Sequence, residues 1–387
     1  MNILYVPTED PRALNGGNEQ RTNFLWESLK RYGRVYTFLL DSGLNTRFLY
    51  IDGEHPICKL RPNVKGISFW RVLNSIVCRL SILNIFGRKI ILIKSPEEVF
   101  TGVHFDVVVT RYVQPLCNYR YWDIAPLLID IDDYPPQVFE TIRKNQLLWG
   151  MKTIGKYITK WQTDYLIKKS VGGWIANKEQ EKLLGDNYVF LPNIPQMPSQ
   201  SYKVDNKERN NLFTVGKMSY SPNSDGVSRF LKQIWPSFHK QYSDVQYLIV
   251  GKGAPDAEVK LWNNYEGVKY LGFVEDLETL YEKTLATVVP VYSGGGTCIK
   301  TLETMAHSRA CLSTKFGARG LADDAVKGEK GILLFEDAES FINAYNKVVD
   351  IKRREEIEKQ GKNFVISSYS IDSFNKAVDV VLSKTRC

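Results

Sequence analysis

The segment Val291 to Ala306 holds the residues with the most chemistry to offer. Gly294, Gly295 and Gly296 close an apolar run and are followed by Thr297, Lys300 and Glu303. Glycine lets backbone N–H groups approach a ligand closely, and the start of a helix carries a partial positive charge. A helix beginning near Thr297 would receive an anion such as phosphate, with Lys300 in its first turn reaching the same group. Glu303 stands one turn further, placed to accept hydrogen bonds from sugar hydroxyls. A glycine triplet alone is equally a tight turn before a surface helix.

Three other groups could do chemistry. Asp130-Ile-Asp132-Asp133 ends an apolar run, at the edge where open α/β sheets bind ligands. Its Asp-x-Asp spacing suits a divalent ion beside a diphosphate; Asp132 or Asp133 could instead bind an acceptor or take its proton, or simply end a strand. Gly16-Gly17 precedes a helical pattern in which Arg21 could touch a phosphate or an acceptor, or face water. Gly251-Lys-Gly253 follows a buried run, but the third glycine of a dinucleotide fingerprint would fall on Asp256, which argues against a nicotinamide cofactor.

The elements that must position these residues alternate along the chain. Short apolar, β-rich runs occur at Ile3–Val6, Val35–Leu40, Ile90–Ile93, Val107–Val109, Leu127–Ile131, Gly173–Ala176 and Tyr188–Leu191. Continuous runs of this kind suit parallel strands covered on both faces. Pro192, Pro195 and Pro198 then lead into a polar stretch, Ser199 to Asn211, the best linker in the sequence. The rhythm restarts at Leu212–Val215, with a helix near Val227–Trp235 and further runs at Tyr247–Val250, Val268–Leu271, Ala286–Val291, Ala310–Ser313 and Gly331–Phe335. Two doubly wound, Rossmann-like α/β domains are expected, residues 1–198 and 199–387, with a ligand cleft between them and the last helix able to pack back on the first.

With 24% charged and 43% hydrophobic residues in 387, the chain is globular rather than disordered or fibrous. Six scattered cysteines without a Cys-x-x-Cys pair signal neither zinc nor a disulfide framework. No basic-then-apolar leader and no membrane-spanning run is seen, so a cytoplasmic location is expected. The net charge of +8 is concentrated: Lys59, Arg61, Lys65, Arg71, Arg79, Arg88, Lys89 and Lys94 lie in a stretch without an acid, interleaved with Phe69, Trp70 and Phe86. Residues 59–94 therefore suit an anionic membrane surface, or form a solvated face. No nucleic-acid module accompanies the charge, so no nucleic-acid partner is expected.

Five segments in order resemble the C-terminal half of the GT-B retaining glycosyltransferases of group 1 type (glycosyltransferase family 4). They are Phe213-Thr-Val-Gly-Lys-Met-Ser-Tyr-Ser-Pro-Asn223, Leu248 to Gly253, Leu271-Gly-Phe-Val-Glu-Asp276, the glycine–helix segment, and Ser313 to Leu321. The N-terminal half is similar more loosely, through its opening strand, Gly16-Gly17, Arg21, and Val189-Phe-Leu-Pro-Asn193. The resemblance implies that Glu303 holds the nucleotide ribose, while the first glutamate of the family's pair, eight positions earlier, is replaced by Gly295. It implies further that Lys217 stands where an Arg neutralises the donor diphosphate, that Gly272-Phe273-Val274 contacts the base, and that Gly16 and Gly17 face the donor phosphates.

The expected activity is metal-independent transfer, with retention, from a UDP- or GDP-linked sugar to a glycan or lipid-linked hydroxyl, as in envelope polysaccharide assembly. The nucleotide-sugar is a substrate, and no cofactor is expected. Lys217, Lys300 and Glu303 would carry the chemistry, and Gly294 to Thr297 would supply N–H dipoles. A sugar-nucleotide epimerase of the same fold and a non-catalytic partner of another transferase are the rival readings.

Overall fold

The computed structural model describes residues 1–12, 17–40, 48–52, 55–60, 95–113, 115–117, 119–132, 134–137, 149–198, 209, 211–294, 297–321 and 323–385. Gly16, Asp133, Gly295 and Gly296, the run expected at Ile90–Ile93, and all of the basic stretch after Leu60 except its surroundings from residue 95 onward lie outside them. The chain forms two compact units: Met1–Pro192 together with the chain from Phe374 onward, and Asn193–Ser373.

The first unit is built on one sheet of strand order β4-β3-β2-β1-β5-β6-β7-β8. Its strands are β1 (Asn2–Val6), β2 (Arg34–Leu40), β3 (Phe48–Asp52), β4 (His55–Leu60), β5 (Val107–Arg111), β6 (Leu127–Ile131), β7 (Gly172–Ile175) and β8 (Tyr188–Phe190). Helices α1 (Gly17–Lys30), α2 (Pro96–Val99), α3 (Trp149–Ile167) and α4 (Glu181–Leu184) alternate with them. Every residue of β5 and β6 is buried, which is why both read as unbroken apolar runs. The pairing is parallel from β2 through β1 to β8.

At the other edge β2, β3 and β4 pair antiparallel. That hairpin is not legible as strands in the sequence. Pro56 interrupts any alternation there, and proline is tolerated because β4 is, among the described residues, an edge strand whose outer N–H positions need no partner.

The chain's last helix, Ile371–Ser383, is tied to this unit by hydrogen bonds. Ser28 Oγ donates to Asn375 Oδ1 at 2.6 Å, Trp174 Nε1 donates to the Ala377 carbonyl at 3.0 Å, and Tyr32 bonds Asp379.

The second unit has an all-parallel sheet of order β11-β10-β9-β12-β13-β14. Its strands are β9 (Asn211–Val215), β10 (Gln246–Val250), β11 (Val268–Gly272), β12 (Thr284–Val289), β13 (Ala310–Ser313) and β14 (Ile332–Leu334). The helices are α5 (Ser221–Gln233), α6 (Trp235–Gln241), α7 (Asp256–Asn263), α8 (Leu277–Glu282), α9 (Ile299–Ala306), α10 (Asp323–Lys327), α11 (Ala338–Val349) and α12 (Ile351–Ser368). Phe230, Trp235, Phe238, Tyr247, Phe335 and Phe341 pack on one face of the sheet. Edge-to-face ring pairs there, such as Phe230 with Phe341 at 5.0 Å, add to the area they remove from water.

In each sheet the winding direction reverses once: between β1 and β5 in the first, between β9 and β12 in the second. The carboxyl ends of strands at such a switch point leave a crevice where ligands bind. Gly216 and Lys217 follow β9, and the glycine–helix segment follows β12.

Candidate functional site

The second unit's site is assembled from the loops after β9 and β12. Lys300 lies in the first turn of α9, and its Nζ donates to Asn223 Oδ1 at 2.6 Å. Asn223 sits in the first turn of α5, where Pro222 is favoured because its missing N–H would have no partner anyway. Its Nδ2 donates to the Lys217 carbonyl at 2.9 Å, which fixes the amide with its oxygen toward Lys300.

A Cβ at Gly216 would stand 3.0 Å from both Lys300 Nζ and Asn223 Nδ2, so a side chain there would press on the amine and the amide. Gly251, after β10, combines a φ of +134° with a Cβ position only 1.7 Å from the Gly216 carbonyl oxygen. No side chain fits at Gly251.

Helix α9 is held from both sides. Thr301 Oγ1 donates to the Gly317 carbonyl at 3.1 Å, and the Thr304 and Thr287 hydroxyls bond at 2.8 Å. That anchoring sends Lys300 and Glu303 to the site rather than to the core. Burial pushes the Lys300 amine below its ordinary value, with Cys298 and Glu303 opposing the shift and Arg319 adding to it. Burial pushes the Glu303 carboxyl up to about 7, with the Lys300 charge pulling against it.

The two groups make no ion pair with each other, and among the described residues no donor reaches the Glu303 carboxylate. A cation and a carboxylate, both partly stripped of water and both with bonding capacity left, stand on one helix face. Phosphate fits the first and vicinal hydroxyls fit the second.

The remaining sequence-derived residues of this unit fall into place unevenly. Lys217 has an exposed side chain, and it is its carbonyl that enters the hydrogen-bond network. Thr297 lies against Gly320, and Gly294 takes a positive φ of 123° ahead of the undescribed pair. At Gly272-Phe273-Val274 the Phe273 ring is 70% exposed with Lys252 Nζ 5.6 Å from its centroid, an open platform for a flat ring.

In the first unit the acidic motif behaves differently from the expectation that Arg21 touches phosphate or faces water. Arg21 is 2% exposed, with Nη2 donating to Asp130 Oδ1 at 2.6 Å, Nε to Oδ2 at 3.0 Å, and Nη1 to the Leu191 carbonyl at 2.9 Å. Arg111, from the end of β5, adds a bond to Asp130 Oδ2 at 2.8 Å. A carboxylate fully buried at a strand end needs this much countercharge. Both Asp130 oxygens are therefore committed to arginine. Among the described residues no group of three metal-ligating side chains comes together.

Asp132 lies outward of this pair and accepts from Tyr112 Oη at 3.0 Å; Arg111 Nη2 stands 3.4 Å away. Tyr112 holds a φ of +64°, uncommon for a bulky residue and concentrated at functional sites. Burial pushes the nearby Glu9 carboxyl up, Arg111 opposes, and Glu19 and Asp132 reinforce the rise. Glu9, Arg111, Tyr112, Gly216 and Asn223 are absent from the sequence-derived site. Only the segment Phe213 to Asn223 carried a signal that could have found any of them, namely Gly216 and Asn223.

With this geometry in view, the two Rossmann-like sheets define the GT-B fold. The chain is similar over its whole length to several solved GT-B structures. Sucrose-phosphate synthase from Thermosynechococcus elongatus matches with a TM-score of 0.65 and 14% identity, over 99% of this chain and 98% of that one. A glycosyltransferase from Rickettsia africae matches with a TM-score of 0.61 and 14% identity, over 100% and 98%. HepE of Anabaena, in complex with UDP and glucose, matches with a TM-score of 0.57 and 13% identity, over 98% and 99%.

Residues 209–350, which include β9 to β14 and α9, match the family described as glycosyl transferases, group 1. A 44.6 kDa protein in the cps region of Klebsiella pneumoniae is 22% identical over 190 residues, 47% of this chain. The chain spans about half the length of that curated relative, 48%.

Proposed function

We propose that the protein transfers a sugar from a nucleotide-diphosphate-sugar to a hydroxyl of a glycan or lipid-linked acceptor, with retention of configuration and without a metal ion. The observation that carries this reading is the pairing of Lys300 and Glu303 on one face of α9, at the β9–β12 switch point, each with bonding capacity unspent. Lys300 meets the diphosphate, Glu303 the ribose, and the exposed Phe273 the base. As the anomeric C–O bond breaks, negative charge grows on the leaving diphosphate, and the Lys300 ammonium with the start of α9 stabilises it from fixed positions.

The group 1 match and the UDP held by HepE support the donor class; the cps-region relative supports a role in envelope polysaccharide assembly. Retention rests on the family resemblance alone. No helix among the described residues is long and apolar enough to cross a membrane. A cytoplasmic location, with residues 59–94 against an anionic inner leaflet, is the part of the proposal that would bring a lipid-linked acceptor to the enzyme.

The test is a transfer assay by mass spectrometry over UDP- and GDP-sugars, with acceptors presented in anionic and in neutral vesicles and with excess chelator. Donor-dependent transfer that persists in chelator is expected, with faster transfer on anionic vesicles. Donor binding without transfer to any acceptor overturns the catalytic reading, and loss on chelation rescued by a divalent ion overturns its metal-free form.

Glu303 gives the reading a pH signature. Its carboxyl stays protonated in the folded protein between the ordinary value of 4.5 and about 7, while the unfolded chain has already lost that proton. The resulting stabilisation is complete below about 4.5 and fades as pH rises through 7. Ribose binding needs the ionised carboxylate as acceptor, so it has the opposite trend. Affinity for a nucleotide-sugar, whose diphosphate does not titrate in this range, should rise about tenfold per pH unit below the Glu303 pKa and level off above it. Calorimetry from pH 5.5 to 8 checks this, and Glu303→Gln should bind weakly with a flat profile. A wild-type affinity independent of pH removes Glu303 from the ribose.

A further inference from the structure

We propose that Asn223 is the positioning residue of the diphosphate site: it holds Lys300 Nζ over Gly216, so that the amine stands ready for an anion before any ligand arrives. The inference rests on the donor reading above for the nucleotide, but the anion site itself stands on the geometry of α5, α9 and the β9 loop.

Asn223 is 8% exposed, and its two amide atoms have distinct duties. Oδ1 accepts from Lys300 Nζ at 2.6 Å, and Nδ2 is spent on the Lys217 carbonyl at 2.9 Å. The bare Gly216 backbone leaves the space in which Nζ and Nδ2 sit, each 3.0 Å from where a Cβ would be.

A lysine ammonium has three N–H donors. Among the described residues Asn223 accepts one of them, and no acceptor takes the other two. A neutral acceptor at that position orients the amine without cancelling its charge. A carboxylate there would pair with Lys300 and compete with the ligand. The groups that act on the amine are Cys298 and Glu303 on its own helix segment and Arg319 from the loop after β13. From α5 it meets Asn223, whose amide is held in turn by the Lys217 carbonyl in the loop after β9. Two unspent donors held by one neutral anchor fit the oxygens of a diphosphate.

The test uses the full chain with isotope-labelled lysine, the Lys300 resonance assigned by its loss in Lys300→Met. Its titration is followed by NMR, and binding of inorganic pyrophosphate, UDP and GDP is followed by calorimetry. Asn223→Ala removes the acceptor that favours the ammonium, so Lys300 should titrate at lower pH than in wild type and bind pyrophosphate about tenfold more weakly. Asn223→Asp should move the titration the opposite way, to higher pH, and still weaken anion binding, because its own charge occupies the amine. Asn223→Leu, close in shape and without an acceptor, serves if the alanine variant does not fold.

A purely structural Asn223 would leave the Lys300 titration where it is in the alanine and leucine variants, and that result overturns the proposal. Wild-type protein that binds no pyrophosphate also overturns it. Wild-type protein that binds pyrophosphate but neither UDP nor GDP supports the anion site and overturns the nucleotide reading instead.

Discussion

Lys300→Ala is expected to lower sugar transfer about 100- to 1000-fold, the range seen when one fixed donor to a developing negative charge is removed. The site offers little to replace it. Asn223 presents its oxygen to the amine, Lys217 has its side chain exposed, and Arg319 is turned to its own loop, with Nη1 donating to the Phe316 carbonyl at 2.9 Å and its guanidinium over the Phe316 ring. On the proposed reading Lys300 meets phosphate and not the base or ribose, so binding of the free nucleoside should be unchanged within error. Lys300→Arg keeps the charge but brings a planar fork where Gly216 and Asn223 leave room for a compact amine, so it should restore only part of the rate. Steady-state kinetics with the preferred donor, beside calorimetry with the nucleoside, separates these effects. A Lys300→Ala variant that turns over at the wild-type rate ends the assignment.

How much of this was legible in the sequence depends on which interaction places each residue. Lys300 and Glu303 were visible because α9 is local: a glycine turn, a helix start and a three-residue spacing put both on one face. The buried strands were visible for the same reason, since β5 and β6 are covered on both faces and carry no polar alternation to confuse the pattern. Asn223 was not visible as a partner of Lys300. The two are far apart in sequence and meet only because β9 and β12 are neighbours in the sheet, a strand order no local pattern encodes.

Arg21 shows the same limit from the other side. As one Arg on a helix it could be read as a phosphate contact or a solvated charge, and its real partner, Asp130, arrives from β6 through the pairing of β1, β5 and β6. Arg111 drew no site assignment because an arginine ending an apolar run reads as the point where a strand meets water. Here it is fully buried, against two carboxylates.

That buried network sets the second large effect. Asp130→Ala leaves Arg21 and Arg111, 2% and 0% exposed, without the carboxylate that each bonds. Removing one partner of a buried ion pair typically costs about 3–5 kcal/mol, because the surviving charge stays out of water. For a unit of this size that corresponds to a melting transition lower by roughly 10 °C. Asp130→Asn keeps the shape and one acceptor oxygen, so its loss should be smaller but of the same sign.

Asp132→Asn, at the outer edge of the cluster, gives up a bond to Tyr112 and a long contact to Arg111 and should cost no more than about 1 kcal/mol. The contrast matters for reading activity data. A rate lost in an Asp130 variant through partial unfolding would imitate the loss of a metal ligand, whereas the same rate lost in Asp132→Asn at an unchanged melting temperature would mark a contact to the acceptor.

Thermal denaturation of the three variants, with and without chelator, tells these apart. Large destabilisation confined to the Asp130 variants and indifferent to chelator is the expected result. An Asp130→Ala protein that melts with the wild type means that the two arginines find other partners and that Asp130 is not the centre of the cluster.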